Sequence, residues 1–534
     1  MKVGEAIVAL LEDYGVRHVF GIPGTHSIEL YRALESSPIN HVLPRHEQGA
    51  GFMADGYARL TGEPGICFVI TGPGVTNLST AMAQAWSDSV PLLVISPVND
   101  LTIADGTDEP LYQGRLHEIP DQSMITAPFS AFSCIAGSQA ELEQLIHRAF
   151  NVFQTERPRP VHIHVPLSLL TSDVGERWQL QPVGSLEPDQ ANHVPEVINA
   201  FAQAQNPVIV AGGGCRFAPD HLTLLAERLS APVVTSVAAR GVIPGSHPLC
   251  VGAQLASTHS QQLIADSDLL LSVGCELSET DCWREIQLPE KQIWINLDPN
   301  VPFKHVSSGS DVKTLVADTR VLLPALCSSA GEPERETVIH AHRRAAQVRN
   351  KHTDEFLPME RKHWRVLTEL MKHLPETAVV TSDMTQLAYT ACNHLPLQQA
   401  NSWFHPNGYG TLGYALPAAV GAMISRVDTP ALAIVGDAGF QYTVAEFAVA
   451  VEHNLPLVVL LWNNDALQQI ADDMKNAGIP PNAVVQQNPD FEKLSQAMGA
   501  EYRGVKGISD LGQALQDAFG LQTPILLELH QSTV

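Results

Sequence analysis

Long hydrophobic runs are missing from these 534 residues, and no stretch is apolar enough to span a bilayer. Basic blocks are missing as well. The 32 lysines and arginines are outnumbered by 57 acids, for a net charge of −25, so nucleic acid and anionic membranes are poor partners. Eight cysteines are scattered without a CxxC pair, and no histidine stands at a zinc-like spacing beside the closest two, Cys275 and Cys282. Reduced thiols in a cytoplasmic protein fit that usage best. The opening MKVGEAIVALLEDYGV has acids inside its apolar helical pattern, unlike a signal peptide. What is abundant is apolar residues, at 45%, ample for large cores. The length suggests roughly two to four domains.

The most informative stretch is GDAGFQYTVAEFAVAVEHNLPLVVLLWNN, residues 436–464. The apolar run Ala431 to Val435 reads as a buried parallel strand ending at Gly436-Asp437. A helix is predicted from Thr443 to His453, stopped by Asn454 and Pro456, and Leu457 to Trp462 reads as the next strand. Asp437 and Asn464 are therefore expected at one carboxyl edge of a parallel sheet, where open α/β sheets bind ligands. A carboxylate and an amide oxygen suit Mg²⁺, which usually takes its remaining ligands from water and phosphate oxygens. Gly436 and Gly439 let the backbone approach a phosphate, and the helix start adds N–H donors.

The same pattern occurs near the start. FVITGPGVTNLSTAMAQAWSDSVPLLVIS aligns with LAIVGDAGFQYTVAEFAVAVEHNLPLVVLLW, as strand, glycine turn, helix, proline and strand. EQGAGFMADGYAR likewise pairs with GTLGYALPAAVGA, which makes two copies of one α/β unit plausible. Between them, residues 172–196 lose periodicity and read as a linker, as does the polar stretch 328–354, where Glu334 to Arg349 could be helical. NPVIVAGGG, APVVTSV, DLLLSVG and QIWINLD read as strands of a middle unit. The expected class is α/β, with three doubly wound parallel-sheet domains over 1–170, 186–328 and 355–534. Glu47, just after a strand and at the start of an apolar helix, is a candidate enclosed carboxylate; as a plain first-turn acid it would only favour the helix dipole.

FGIPGTHSIELYRAL, RHEQGAGFMADGYAR, TGPGVTN, GYGTLGYALPAAVGA and GDAGF…NN occur in an order that resembles the thiamine diphosphate (ThDP)-dependent acetolactate synthase and 2-oxo acid decarboxylase superfamily. The resemblance implies a pyrimidine-binding first domain, a middle domain and a diphosphate-binding third domain, the first and third sharing one topology. It implies that Glu47 acts on the aminopyrimidine so that the thiazolium can lose its C2 proton. Asp437 and Asn464, with the carbonyl of Ala466, match the Mg²⁺ ligands, and Ala438 and Gly439 match backbone contacts to the diphosphate. Thr385 and Gln386 stand where the family touches the same diphosphate. Gly410 matches the carbonyl contact to the pyrimidine, and Leu412 the residue under the bent cofactor. Pro73 and Asn77 flank the pyrimidine, and Thr25 faces the reacting carbon. The resemblance also implies self-association, as a homodimer or, the favoured expectation, a homotetramer, with Glu47 of one subunit and Asp437 of another at a dimer interface.

Departures narrow the choice. The middle-domain patterns of flavin-binding acetolactate synthases are absent, and AGGGCRF lacks a full GxGxxG, so neither FAD nor a nicotinamide is expected. GRLHEIPDQ places His117 where those synthases contribute a glutamine; a histidine there can relay protons near neutral pH. The helix after Asn464 carries Asp472 and Asp473, and an acid at Asp473 favours a cationic end such as a guanidinium. GRLHE and NNDAL most resemble decarboxylases of 5-guanidino-2-oxopentanoate. The expected function is decarboxylation of that small-molecule 2-oxo acid to an aldehyde. The alternative is a FAD-independent carboligase of the acetolactate synthase type, forming 2-hydroxy-3-oxo acids from pyruvate.

Overall fold

A computed structural model describes residues 1–102, 111–184, 193–305 and 309–534. Among the described residues, eighteen strands form three six-stranded sheets. The first holds β1 (His18–Gly21), β2 (Asn40–Val42), β3 (Gly65–Phe68), β4 (Leu92–Val98), β5 (Phe132–Ile135) and β6 (Val161–Pro166), in the order β2-β1-β3-β4-β6-β5. The second holds β7 (Pro207–Ala211), β8 (Val233–Thr235), β9 (Cys250–Gly252), β10 (Leu269–Val273), β11 (Lys291–Asn296) and β12 (Asp311–Val316), in the order β12-β11-β10-β7-β8-β9. The third holds β13 (Val379–Ser382), β14 (Trp403–Phe404), β15 (Ala431–Gly436), β16 (Leu457–Asn463), β17 (Glu501–Val505) and β18 (Ile525–His530), in the order β14-β13-β15-β16-β18-β17. Adding twelve to each strand number of the first sheet reproduces the third, so the two echoing sequence stretches do build one topology. All pairings between these strands are parallel. Parallel strands need crossover connections, which the intervening helices supply.

The chain groups into two compact units. One comprises Met1–Ser185, Tyr409–Asp428 and Tyr442–Leu455; the other comprises Leu186–Gly408, Thr429–Gln441 and Pro456–Val534. Part of the linker expected over 172–196, and residue 186 where the middle domain was placed, lie outside the described residues. The central strands β15 and β16 are buried along their whole length, as near-continuous apolar runs in parallel sheets should be. No helix among the described residues is long and apolar enough to cross a membrane. All eight cysteines are free, seven of them buried.

Small residues set the helix packing in the first unit. The helix Glu47–Thr61 is buried from Gly49 to Leu60. A Cβ on Gly51 would stand 2.4 Å from Ala81 Cβ, on the helix Pro73–Ser87. A Cβ on Gly56 would stand 2.0 Å from the Ala418 carbonyl oxygen, and one on Gly421 would stand 1.9 Å from that of Met53. The helices Glu47–Thr61 and Ala415–Ser425 thus cross backbone against backbone. Their contact also encloses a polar network: Arg59 pairs with Asp55 at 2.6 Å and Asp88 at 2.7 Å, and the Tyr414 hydroxyl donates to Asp55 at 2.5 Å.

One predicted element changes. The helix expected from Thr443 to His453 is instead a helix at Asp437–Tyr442, a 3₁₀ turn at Val444–Glu446 and a helix at Phe447–Glu452. Thr443 causes the break: its backbone leaves the helical region (φ −135°, ψ 23°) and its hydroxyl donates to the Gly413 carbonyl at 2.8 Å.

Candidate active site

In the first unit, Glu47 opens its helix and is 8% exposed. The Asn77 amide, one turn into the helix Pro73–Ser87, donates to its Oε2 at 2.9 Å. A carboxylate held this way has a fixed direction and keeps its other oxygen available to a ligand. Pro73 is exposed at the first helical position, after Gly72 at φ +69°, so the turn relies on a left-handed glycine. Thr25 is exposed in the PGTH turn, which lies against Ile70: a Cβ on Gly24 would stand 2.0 Å from Ile70 Cδ1. His117, itself at φ +60°, packs over Gly72, where a Cβ would stand 2.8 Å from its carbonyl oxygen. Thr25, Pro73 and His117 are thereby gathered around the TGPG turn. Gly410 (φ +70°) and Leu412, both half-buried, precede the helix Ala415–Ser425 in the same unit.

Three further residues of this unit escaped the sequence reading. His26 follows Thr25, and its ring meets that of His117 edge-on at 5.4 Å; Nδ1 of each finds no hydrogen-bond partner among the described residues. Burial, followed by the neighbouring His117, lowers the pKa of His26. Gln122 is buried, and its Oε1 accepts from the Thr71 hydroxyl at 2.6 Å and the Gly72 amide at 2.8 Å, which locks the TGPG turn. Glu446 accepts from the backbone N–H groups of Arg45 and His46, each at 3.0 Å, just ahead of Glu47. A Cβ on Gly49 would stand 2.2 Å from its Oε1, so the glycine in HEQG makes room for that carboxylate. Burial pushes Glu446 up to about 7 against these donors.

In the second unit, β15 and β16 are in register with Gly436 opposite Trp462, so Asp437 and Asn463-Asn464 leave the sheet at the same edge. Asp437 is 2% exposed. Ala438 and Gly439 are buried; a Cβ on Gly439 would stand 2.6 Å from Asp383 Oδ2, and one on Gly436 would stand 3.0 Å from the Thr385 hydroxyl. The SDMTQ turn after β13 therefore abuts the GDAG turn after β15, its sheet neighbour. Asn464 and Ala466 sit half-buried beyond β16, with Asn464 Oδ1 accepting from the Ala466 amide at 3.3 Å. Asn464 is not what holds Asp437. That is Asn488, whose Nδ2 donates to Asp437 Oδ2 at 2.7 Å, Asn463 Oδ1 at 3.0 Å and Asp465 Oδ1 at 3.0 Å. Asn488 lies in an irregular stretch with no motif to mark it.

Of the two helix acids, Asp472 accepts from Gln386 Nε2 at 3.1 Å and Gln468 Nε2 at 2.7 Å, whereas Asp473 is exposed and accepts from Gln469 at 3.1 Å. Gln386 is thus tied to Asp472.

This donor set suits a diphosphate with a hard cation. A buried carboxylate, amide oxygens and close-approach glycines lie at one sheet edge, and an enclosed carboxylate held by an amide lies in the unit that carries Glu47.

Three family models match the chain: thiamine pyrophosphate enzyme, N-terminal TPP binding domain, at residues 1–125; the central domain at 194–326; and the C-terminal TPP binding domain at 383–529. A Pseudomonas aeruginosa protein named "Probable 2-ketoarginine decarboxylase AruI" is 45% identical over 542 residues, covering 100% of this chain and 94% of that protein. A probable acetolactate synthase large subunit of Methanocaldococcus jannaschii is 28% identical, over 99% of this chain and 92% of its own length. The acetolactate synthase isozyme 1 large subunit of Escherichia coli is also 28% identical, over 98% and 93%. With all three domains matched and a relative this similar from end to end, the chain belongs to the thiamine pyrophosphate enzymes.

Proposed function

We propose that the protein is a Mg²⁺- and ThDP-dependent decarboxylase that converts 5-guanidino-2-oxopentanoate, or 2-ketoarginine, to an aldehyde and CO₂. The observation that carries the substrate is the 45% identity over the full chain to a protein named for that decarboxylation. Domains at 1–170, 186–328 and 355–534 bind the pyrimidine, form the middle and bind the diphosphate. The enzyme works in the cytoplasm as a self-associated assembly, with Glu47 of one subunit serving the cofactor held by Asp437 of another. FAD has no part in this reading.

When bound, ThDP supplies the nucleophilic carbon that adds to a keto group and stabilises the negative charge left as CO₂ departs. Glu47, aimed by Asn77, holds the proton exchanged with the pyrimidine ring. Pro73 and Leu412 would wall that ring and the cofactor, and the Gly410 carbonyl would accept from the ring's amino group. Asp437, Asn464 and the Ala466 carbonyl would hold the metal, while Ala438, Gly439, Thr385 and Gln386 would contact the diphosphate. Asn488 fixes the direction of Asp437, as outer partners of metal-binding carboxylates do. His117, with Thr25 and His26 beside it, delivers the proton that releases the aldehyde. Asp473, exposed on its helix, meets the guanidinium of the substrate.

The test is CO₂ release from a panel of 2-oxo acids: pyruvate, branched, aromatic and guanidino. The guanidino acid should give the highest kcat/KM, and Glu47→Gln should lower kcat by about 10²–10⁴-fold with the circular dichroism unchanged. Acetolactate from pyruvate as the main product would favour the carboligase reading that the 28% relatives represent. Undiminished turnover in Glu47→Gln would remove the catalytic role of that residue.

A further inference from the structure

A cavity of about 270 Å³ lies in the second unit, away from the residues assigned above. It is bounded by segments between Thr235 and Gln254, by Arg349 and His352, by the helix Pro358–His373, and by Asn393 to Leu397. Its charge is one-sided. Arg240, Arg349, His352 and His394 line it, and no Asp or Glu is among its lining residues. In a chain of net charge −25 this is a local reversal of sign.

Arg240 is 5% exposed. Its Nη1 donates to the Ala391 carbonyl at 2.5 Å and its guanidinium lies 4.3 Å from the Trp403 ring centroid, but Nη2 has no acceptor among the described residues. Burial pushes its pKa down to about 10, and the groups that oppose this are the thiols of Cys392 and Cys250 rather than a carboxylate. Arg349 is spent on backbone: its Nη1 donates to the carbonyls of His247, Pro248 and Cys250. His394, driven down to about 3 by burial and then by His352 and Arg240, is neutral there. A buried guanidinium without a counter-charge is unfavourable, and an anion entering the cavity relieves that. The remaining wall is apolar, formed by Ile243, Val251, Trp364, Met371 and Leu397. The volume falls just under the range of about 300–1,000 Å³ typical of drug-sized pockets, which favours a small acid over a nucleotide.

We propose that this cavity is a second small-molecule site, one that takes a small organic carboxylate. The head group sits toward Arg240, and the hydrocarbon body packs on Trp364, Met371 and Leu397.

Calorimetric titration of the holoenzyme, loaded with ThDP and Mg²⁺, tests it with hexanoate and with hexylamine, which has the same chain and the opposite charge. Hexanoate should bind once per chain and hexylamine should not. Arg240→Gln should weaken hexanoate at least tenfold. Ala253→Phe fills the cavity while leaving both arginines in place, so it should abolish binding with kcat/KM for the 2-oxo acid within twofold of wild type. If Arg240→Gln does not fold, Ala253→Phe decides alone. No hexanoate binding by wild type, equal binding of the amine, or binding that survives Ala253→Phe would each overturn the proposal, the last by placing hexanoate elsewhere on the enzyme.

Discussion

Replacing Glu446 with glutamine should make the protein more stable at pH 8 while leaving it nearly unchanged at pH 5. Glu446 is 1% exposed and accepts the N–H groups of Arg45 and His46, yet burial outweighs those bonds and raises its carboxyl from 4.5 to about 7. The folded state therefore keeps this proton to higher pH than the unfolded chain does. Stability from the raised pKa is fully present below about 4.5 and is lost as the pH climbs through about 7. At about 1.4 kcal/mol per pH unit, the loss between those limits is on the order of 3 kcal/mol. Glutamine has the shape of the protonated acid and no proton to lose. The stability of Glu446→Gln minus that of wild type should thus rise by about 3 kcal/mol across that window. Because only the change with pH is read, any packing effect common to all pH values cancels. Denaturant unfolding of the apoprotein at half-unit steps from pH 5 to 8 measures it, with amide exchange at Arg45 and His46 as the local probe. Parallel curves for the two proteins, or a wild type that gains on the variant as pH rises, would refute the reasoning.

Two other outcomes follow from the geometry. Gly421→Ala would place a methyl 1.9 Å from the Met53 carbonyl oxygen, so the helices Glu47–Thr61 and Ala415–Ser425 must separate. A fall of about 1–3 kcal/mol or more in unfolding free energy is expected, visible as a lower melting temperature, and an unchanged one would mean that the helices do not cross this closely. Asn488→Leu removes the amide that fixes Asp437 Oδ2, so the Mg²⁺ concentration for half-maximal ThDP binding, followed by tryptophan fluorescence, should rise about 10–100-fold. Equal Mg²⁺ dependence would show that Asp437 needs no such support.

Much of the fold was legible in the chain as written. Apolar runs ending in Gly-Pro-Gly or Gly-Asp-Ala mark buried parallel strands that stop at tight turns, because only such runs survive burial on both faces. The two copies of that pattern implied one α/β unit used twice, and the first and third sheets do share one strand order. The edge holding Asp437 beside Asn464 also followed from adjacency, since consecutive strands joined by a helix tend to pair. The helix predicted from Thr443 to His453 failed because periodicity cannot register a threonine whose hydroxyl is claimed by Gly413, 30 residues away.

The primary sequence thus determined where strands end, which glycines turn them, and which carboxylates stand at those turns, all properties of a few neighbouring residues. The tertiary structure alone decided what holds those carboxylates. Asn488 reaches Asp437 across 51 positions, Gln122 clamps Gly72 across 50, and Glu446 meets Arg45 across 401. Partners of this kind leave no local trace. A hydrogen bond across a folded core constrains two side chains in space, and the residues between them carry no record of the distance the chain has closed.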